Sequence, residues 1–496
     1  MIKYSSMKNR FKNIFITTIT LGVLISISQS VKAATNDVAV LEEKDTSLSF
    51  NLGGEFRLRQ ELAHNIPGMP GGPNSVLPKK YKKNLNHFRF RTQVWGRIDW
   101  DKYTLFTRIA NECREHIVKN GVRRKDRAYN FPDEVFLDNL YLEGRGLVDD
   151  FIDFRIGRFD MFGAQGSLFE LDHIFVDGTP YDGSRSLYTD MANITFHTTE
   201  NSQLDTFFLY DSSRNDIRWG TPQSRGRALN AIHAGDDADM DEWGGGVVWS
   251  QKAFDGALPY KLYSIYKHNE DFSHKNRRYP DKQTTTLGVK LLPQITDELS
   301  FDLEGAKQFG SFSNNKQAGG YMGYAAVDFH PKFKGEIKPY AKLSVLYLSG
   351  SKHTYDPDHN DTGWDPMWSR GDTSDSELFQ YGTYYGFGWN SNMIHPKLKL
   401  GSKFGKYHSL YISSGPMFAD KQDGYGRADG DGTSRYKGLK SIARYDFPLL
   451  IAPKDASGVS RFEIYCHIIG ELFNPGNYYE TSRPAYFIRW QVTFKF

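Results

Sequence analysis

Apolar and polar side chains alternate strictly along the last stretch of the chain. From Tyr486 to Phe496 every even position is apolar, and the odd positions from Arg489 to Lys495 are polar. A period of two predicts a β-strand that has one apolar face and one polar face. The two faces must therefore meet different environments.

The same alternation recurs along most of the chain. It is clear in residues 48–62, 86–100, 299–303 and 461–472, where many of the polar positions are charged. A shift of one residue would turn these charges towards the apolar environment. In a membrane barrel an Arg or Lys at mid-bilayer costs about 2–4 kcal/mol, so the charged positions determine which face points inward.

The connections between the predicted strands alternate between short and long. Short turns are expected near 144–150, 199–203, 252–258, 293–297, 331–337 and 405–408. Bacterial outer-membrane barrels have short periplasmic turns and long external loops. We therefore predict an all-β fold, a transmembrane antiparallel β-barrel of about eighteen strands in the bacterial outer membrane, with both termini periplasmic. About sixteen strands are the alternative, because 134–143 and 381–404 lack a clear alternation.

Composition excludes a helical membrane protein. Of the 496 residues 39% are hydrophobic, and the mean hydropathy is −0.57. The one long apolar run, Ile14 to Ile27, follows a basic region and precedes small residues ending at Ala33, which is typical of a cleaved signal peptide. We predict a signal peptide (1–33), a short periplasmic segment (34–47) and a single barrel with long extracellular loops (48–496).

Charge and cysteine content limit the partners and the disulfides that can be expected. Loss of the five basic residues in 1–33 leaves 57 basic and 59 acidic residues, so the net charge changes from +3 to about −2 and nucleic-acid binding is not expected. Cys113 and Cys466 fall on predicted strands three and seventeen, which are not neighbours, so we expect no disulfide. We also expect no metal and no cofactor.

Basic residues are concentrated on the predicted inward face. A guanidinium matches a carboxylate and keeps its charge, so a series of such groups suits the passage of an anionic solute. The alternative is that acidic residues such as Asp99, Glu112, Glu463 and Glu471 neutralise them. We favour pairing for any single arginine and a selectivity role for strands one and two. The predicted inward set is Arg57, Arg59, Arg89, Arg91, Arg97, Arg108, Arg155, Arg185, Arg461, Arg489 and Lys495.

One stretch resembles a known family. Residues 154–169, with Gly157-Arg158 followed by a Gly-rich loop, and residues 179–188, with Tyr181-Asp182-Gly183-Ser184-Arg185, resemble the alginate-export family of outer-membrane barrels. The resemblance implies a monomeric channel whose arginine-rich lumen passes a polyuronate. Its matching positions are Arg155, Arg158, Asp182 and Arg185, and it thereby adds Arg158 to the predicted pathway.

The predicted loops carry three further features. The acidic stretches 236–242, 356–361 and 423–432 lack the spacing of a calcium loop, so we interpret them as exposed loops. Segments 350–395 and 160–180 are the ones most expected to fold into the lumen. The loop aromatics could stack on sugars, or lie at the lipid interface, which we favour for the last three. They are Trp364, Trp368, Tyr384, Tyr385 and Trp389.

The leading hypothesis is a passive outer-membrane channel for an anionic polysaccharide such as alginate or a related polyuronate, in export. One alternative is a nutrient porin for small anions or sugars. An alternative of another class is an outer-membrane hydrolase using His408 and Ser409 or His467, although no activating pattern surrounds them. The expected partners are the anionic polysaccharide or oligosaccharide, outer-membrane lipid and, through the last strand, the barrel-assembly machinery.

Overall fold

The fold is a closed antiparallel β-barrel. The computed structural model describes residues 48–64, 85–116, 134–159, 162–163, 166–167, 169–171, 173–174, 189–211, 218–220, 241–254, 256–274, 277–352, 358–365, 367–368, 391–422, 434–451, 462–478 and 483–496. Ser49–Phe496 form one compact unit. The predicted signal peptide and the segment 34–47 lie outside the described residues.

Eighteen long strands form the barrel wall, as predicted. They are β1 (Leu48–His64), β2 (Leu85–Trp100), β3 (Tyr103–His116), β4 (Glu134–Gly146), β5 (Ile152–Phe159), β6 (Thr189–Thr199), β7 (Ser202–Asp211), β8 (Glu242–Ala253), β9 (Leu258–Asn269), β10 (Lys282–Leu291), β11 (Leu299–Phe312), β12 (Tyr321–Phe329), β13 (Ile337–Leu348), β14 (Met393–Phe404), β15 (His408–Phe418), β16 (Tyr436–Ile451), β17 (Glu463–Pro475) and β18 (Ala485–Lys495). Each pairs antiparallel with the next in chain order.

The barrel closes where the first strand meets the last. β1 pairs with β18 from Glu55↔Lys495 to His64↔Tyr486, and the backbone of Gly54 exchanges hydrogen bonds of 2.9 and 3.1 Å with that of Phe496. Closure leaves no free edge on the wall, so the backbone groups of all eighteen strands can be satisfied within the sheet.

Short elements lie in the connections. A four-residue helical turn, Leu147–Asp150, joins β4 to β5. The remaining short strands are Phe162–Gly163, Gly166–Ser167, Arg218–Gly220, Phe272–His274, Arg277–Tyr279 and Gln317–Ala318. Among the described residues no helix has the length and apolarity needed to cross a membrane.

The two faces of the wall differ as the alternation predicts. On β14, Leu398 and Leu400 are about half exposed and point outward, while His395 on the alternate set is 2% exposed and points inward. The outward face of a closed barrel is thus apolar and the inward face polar, which is the arrangement of barrels that span the bacterial outer membrane. The protein is a transmembrane barrel of that type and is located in that membrane.

The two stretches without a clear alternation, 134–143 and 381–404, have separate explanations. On β4 the register shifts between Arg108 and Ile109 of its partner, so Asp138 and Asn139 are adjacent and both buried. Such a β-bulge interrupts the period of two. The stretch 381–404 lacked alternation because the strand itself begins only at Met393.

Candidate lumen lining and inner segments

One buried carboxylate contacts several basic residues at the seam, by which we mean β18, β1 and β2, where the barrel closes. Glu61 on β1 lies 2.8 Å from Arg59 Nε, 2.9 Å from His87 Nε2 and 3.2 Å from an Nη atom of Arg89 on β2. Arg489 on β18, which pairs with Glu61 in the register, places an Nη atom 3.7 Å away. The seam therefore concentrates three guanidiniums around one carboxylate. Sequence reasoning missed Glu61, although it shares the face of Arg57 and Arg59.

The predicted seam residues all point inward but differ in exposure. Arg57, Arg59 and Arg489 are at most 1% exposed. Arg91 is partly buried and pairs with Glu55 at 2.6 Å, and the Lys495 Nζ lies 5.7 Å from the centre of the Tyr465 ring. The seam is thus buried around Arg57, Arg59 and Arg489 and more accessible at Lys495, near the end of β18.

Beyond the seam, the predicted arginines of β2, β3 and β5 each contact a carboxylate. The exposed fraction of their side chains ranges from 20% to 44%, so they reach the lumen. The Arg155 guanidinium also lies 4.9 Å from the ring centre of Tyr141. The contacts are Arg97 with Asp99 (2.8 Å), Arg108 with Asp138, and Arg155 with Glu143 (2.9 Å).

Arg158 does not line the lumen. In the register it stands opposite Leu140 and Asp190, and Leu140 is one of the exposed apolar residues of the outward face. Arg158 binds both carboxylate oxygens of Asp190, at 2.9 and 3.1 Å. Residues 155 and 158 are an odd number apart, so a regular strand places them on opposite faces. Including Arg158 in the pathway was wrong. Arg185, Asp182 and Arg461 lie outside the described residues.

Inward lysines that the sequence analysis did not single out extend the basic wall. Lys397 and Lys399 alternate with Leu398 and Leu400 on β14, and Lys399 Nζ lies 4.0 Å from the ring centre of Tyr411. Further inward basic residues are Lys342, 3.0 Å from Asp328, Lys440, which is buried, and Arg444, 2.8 Å from Asp446. The signal for them was available, because they follow the same alternation.

A first inner segment, residues 169–174 without 172, lies against the inward face of the barrel. Phe169 packs on Phe207 of β7 with ring centres 4.7 Å apart, and His173 stacks on Tyr324 of β12. Leu171 and Ile174 are at most 1% exposed. The expectation that 160–180 enters the lumen agrees with this placement.

A second inner segment, residues 358–368 without 366, also lies against the inward face of the barrel. It belongs to the long connection after β13. Trp364, Met367 and Trp368 are at most 6% exposed, and the Trp368 ring meets Phe207 edge-on at 6.5 Å. Trp364 and Trp368 are therefore buried inside the barrel rather than stacked on a sugar. Tyr384, Tyr385 and Trp389 lie outside the described residues.

The inner segments contribute acidic groups that contact inward lysines. The Glu170 carboxylate lies 2.8 Å from Lys261 Nζ, and this hydrogen bond, with the charge of Lys261, holds the pKa of Glu170 below its usual range. Asp365 lies 2.8 Å from Lys282 Nζ and 3.8 Å from Lys267 Nζ. These lysines on β9 and β10 thus contact the inner segments.

Neither metal nor hydrolase chemistry gains support from the described residues. Within the described ranges, no group of three or more His, Cys, Asp or Glu side chains could hold a metal ion. Two of the acidic stretches, 236–242 and 423–432, fall almost entirely outside those ranges. His467 accepts a hydrogen bond from Arg489 Nε at 3.1 Å, so it belongs to the seam cluster.

No protein-family model and no curated protein sequence matches the chain. Several solved structures are similar in fold. Pseudomonas aeruginosa OccK2 (OpdF) with glucuronate is 12% identical, the match covers 90% of this chain and 98% of that one, and the TM-score is 0.45. A BenF-like porin from Pseudomonas fluorescens Pf-5 is 8% identical with the same coverage and a TM-score of 0.48. P. aeruginosa OpdK with vanillate is 9% identical, again with 90% and 98% coverage, at a TM-score of 0.45. The resemblance to the alginate-export family is not supported specifically.

Proposed function

We propose that this barrel is a passive outer-membrane porin for small anionic solutes, which was the alternative to polysaccharide export. The observation that carries the proposal is the basic wall of the lumen. Inward lysines and arginines follow one another across β13, β14, β16, β18, β1 and β2, and β14 and β15 contribute no inward carboxylate within the described residues. Such a wall offers successive weak sites for a carboxylate.

The inner segments favour a small solute over a polymer. They fill part of the lumen with side chains that are almost completely buried, including Phe169, Trp364 and Trp368. A polyuronate would need a continuous bore along its whole length, because it threads many sugar units at once. A small anion needs only a short opening, which a limited movement of these segments would supply. We therefore propose a small anion, and not an exported alginate chain, as the solute.

The test is ion selectivity in a planar bilayer. In a gradient of potassium chloride the purified protein should prefer the anion. Lys397→Gln/Lys399→Gln should move the reversal potential towards that of a non-selective pore, because it removes two inward charges. Lys307→Gln is the matched control, since Lys307 stands opposite the exposed Leu287 on the outward face. It should leave the reversal potential unchanged.

Solute size is tested in the same bilayer. Glucuronate should pass, and so give a reversal potential of its own in a glucuronate gradient. Longer uronate oligomers should neither pass nor be transported into protein-containing liposomes. A cation-selective channel would overturn the proposal, and transport of long uronate chains would restore the export hypothesis.

A further inference from the structure

Four inward lysines on β9 and β10 are arranged as two pairs, one for each inner segment. Lys261 and Lys290 stand opposite each other in the register, and Lys282 stands opposite Asn269, two residues from Lys267. All four lysine side chains are at most 10% exposed. Lys261 and Lys290, the lower pair, lie near the ends of β9 and β10 that join the short turns. Lys267 and Lys282, the upper pair, lie near the opposite ends of these strands.

The lower pair contacts the first inner segment. Lys261 Nζ lies 2.8 Å from the Glu170 carboxylate, and Lys290 Nζ donates to the Glu170 carbonyl oxygen at 2.8 Å. One residue of the segment is thus bound through both its side chain and its backbone. The Glu170 side chain is 67% exposed, so its ion pair is accessible to solvent and contributes little by itself.

The upper pair contacts the second inner segment in a buried environment. Asp365 lies between Lys282 and Lys267, and its side chain is 9% exposed. Lys282 also lies 3.9 Å from Asp361, which pairs with Ala318 in an isolated parallel bridge. A buried ion pair is sensitive to loss of either partner, because the remaining charge has been removed from water.

A third contact fixes the backbone of the second inner segment. The Gln308 side chain on β11 donates to the Asp365 carbonyl oxygen at 2.7 Å and accepts from the Asp365 backbone N–H at 2.9 Å. Two hydrogen bonds between one amide side chain and one backbone residue imitate strand pairing. The Met367 sulfur lies 3.4 Å from the Thr286 hydroxyl, so the segment is also packed against β10.

From these contacts we infer that the inner segments are a gate and that the structure shows its closed form. The lysine pairs and Gln308 hold the segments against the wall formed by β9, β10 and β11. Opening moves the second inner segment away from this wall, while the barrel strands stay in place. This goes beyond the proposed selectivity of the pore, since a latch of this kind sets how often any ion passes.

Single-channel recording tests the latch. Asp365→Asn removes the charge and keeps the shape, and it should raise the ratio of open to closed time roughly tenfold, which corresponds to about 1.4 kcal/mol. Asp328→Asn is the matched control: Asp328 is also an inward carboxylate 3.0 Å from a lysine, but both residues of that pair belong to the barrel wall. It should leave the open fraction unchanged. Equal open fractions in wild type and Asp365→Asn would overturn the inference.

A double-mutant cycle tests whether the ion pair itself is responsible. Asp365→Asn and Lys282→Gln should each raise the open fraction, and the double variant should raise it by less than the product of the two single effects, because the second change removes a contact that is already lost. Effects that multiply in full would show that Lys282 and Asp365 do not form the latch.

Cross-linking tests the movement without changing any charge. With both native cysteines replaced by serine, Thr286→Cys/Met367→Cys can be joined by a short reversible thiol reagent. Joined channels should stay closed and should reopen after reduction. Undiminished openings in the joined form would overturn the gate. Ion selectivity is measured only during openings, so these results separate failure of the gate from failure of the proposed function.

Discussion

Removal of the Glu61 carboxylate is expected to destabilise the barrel strongly. The side chain is 1% exposed and contacts Arg59, His87 and Arg89 within 3.2 Å. Removing one partner of a buried ion pair costs about 3–5 kcal/mol, because buried charge is then less compensated. Glu61→Gln keeps the volume of the side chain but not its charge. We expect the free energy of unfolding to fall by about 3–5 kcal/mol.

The assay is urea unfolding of the protein in lipid vesicles, followed by tryptophan fluorescence. The midpoint should fall while the dependence on urea concentration stays constant. Asp328→Asn is a control in which the side chain is 20% exposed and the ion pair faces water. It should cost about 1 kcal/mol or less.

A double-mutant cycle separates the network from a general effect of substitution. Glu61→Gln and Arg89→Met should show a coupling energy of about 0.5–3 kcal/mol, as residues of one network do. If Glu61→Gln unfolds within 1 kcal/mol of wild type, or if the coupling is absent, the seam is not organised by Glu61.

Three further predictions concern other parts of the wall. Arg155→Glu should lower anion preference in the bilayer, whereas Arg158→Gln should leave the reversal potential unchanged, because its side chain faces outward. Gly157→Ala should lower the free energy of unfolding in urea by about 1–3 kcal/mol, because φ is +132° and a Cβ atom would lie 2.2 Å from a backbone oxygen. Gly305→Ala is the control and should be near neutral, because a Cβ atom there would have no atom within 4 Å. The lowered pKa of Glu170 means that its contact with Lys261 persists as the pH falls to the ordinary pKa of a glutamate and weakens only in stronger acid. Hydrogen exchange of the first inner segment should show this, and Glu170→Gln should remove the dependence on pH.

Much of the barrel wall was predictable because the alternation of apolar and polar residues depends only on neighbouring positions in the sequence. A strand with lipid on one side and water on the other must alternate, and the short turns follow from the barrel topology. That was enough to obtain eighteen strands and to place Arg57, Arg89 and Arg155 inward. It failed at β4, since a bulge at Asp138 interrupts the period and no residue in the sequence marks it.

The parts of the lumen that were missed depend on contacts distant in sequence. Arg158 was accepted from a motif although its spacing from Arg155 requires the opposite face. Alternation places Glu61 on the inward face, but it does not show that this carboxylate contacts His87 and Arg89 on β2 and Arg489 on β18. The contacts of Asp365 with Lys282 and Gln308 bridge 57 or more residues, so no local pattern could reveal them.

The number of inward basic residues does not by itself determine selectivity, because some of these residues form ion pairs with the inner segments. Lysines of β9 and β10 contact the acidic residues of the inner segments, so part of their charge is compensated while those segments are in place. Lysines of β14 have no inward carboxylate on their own strand or on β15 within the described residues. Movement of the second inner segment would therefore change two properties together: it would widen the path, and it would expose Lys282 as an additional cation, whereas Lys267 keeps its contact with Glu242 on β8 at 3.0 Å. An open channel should consequently be more anion-selective than the charge distribution of the closed form suggests.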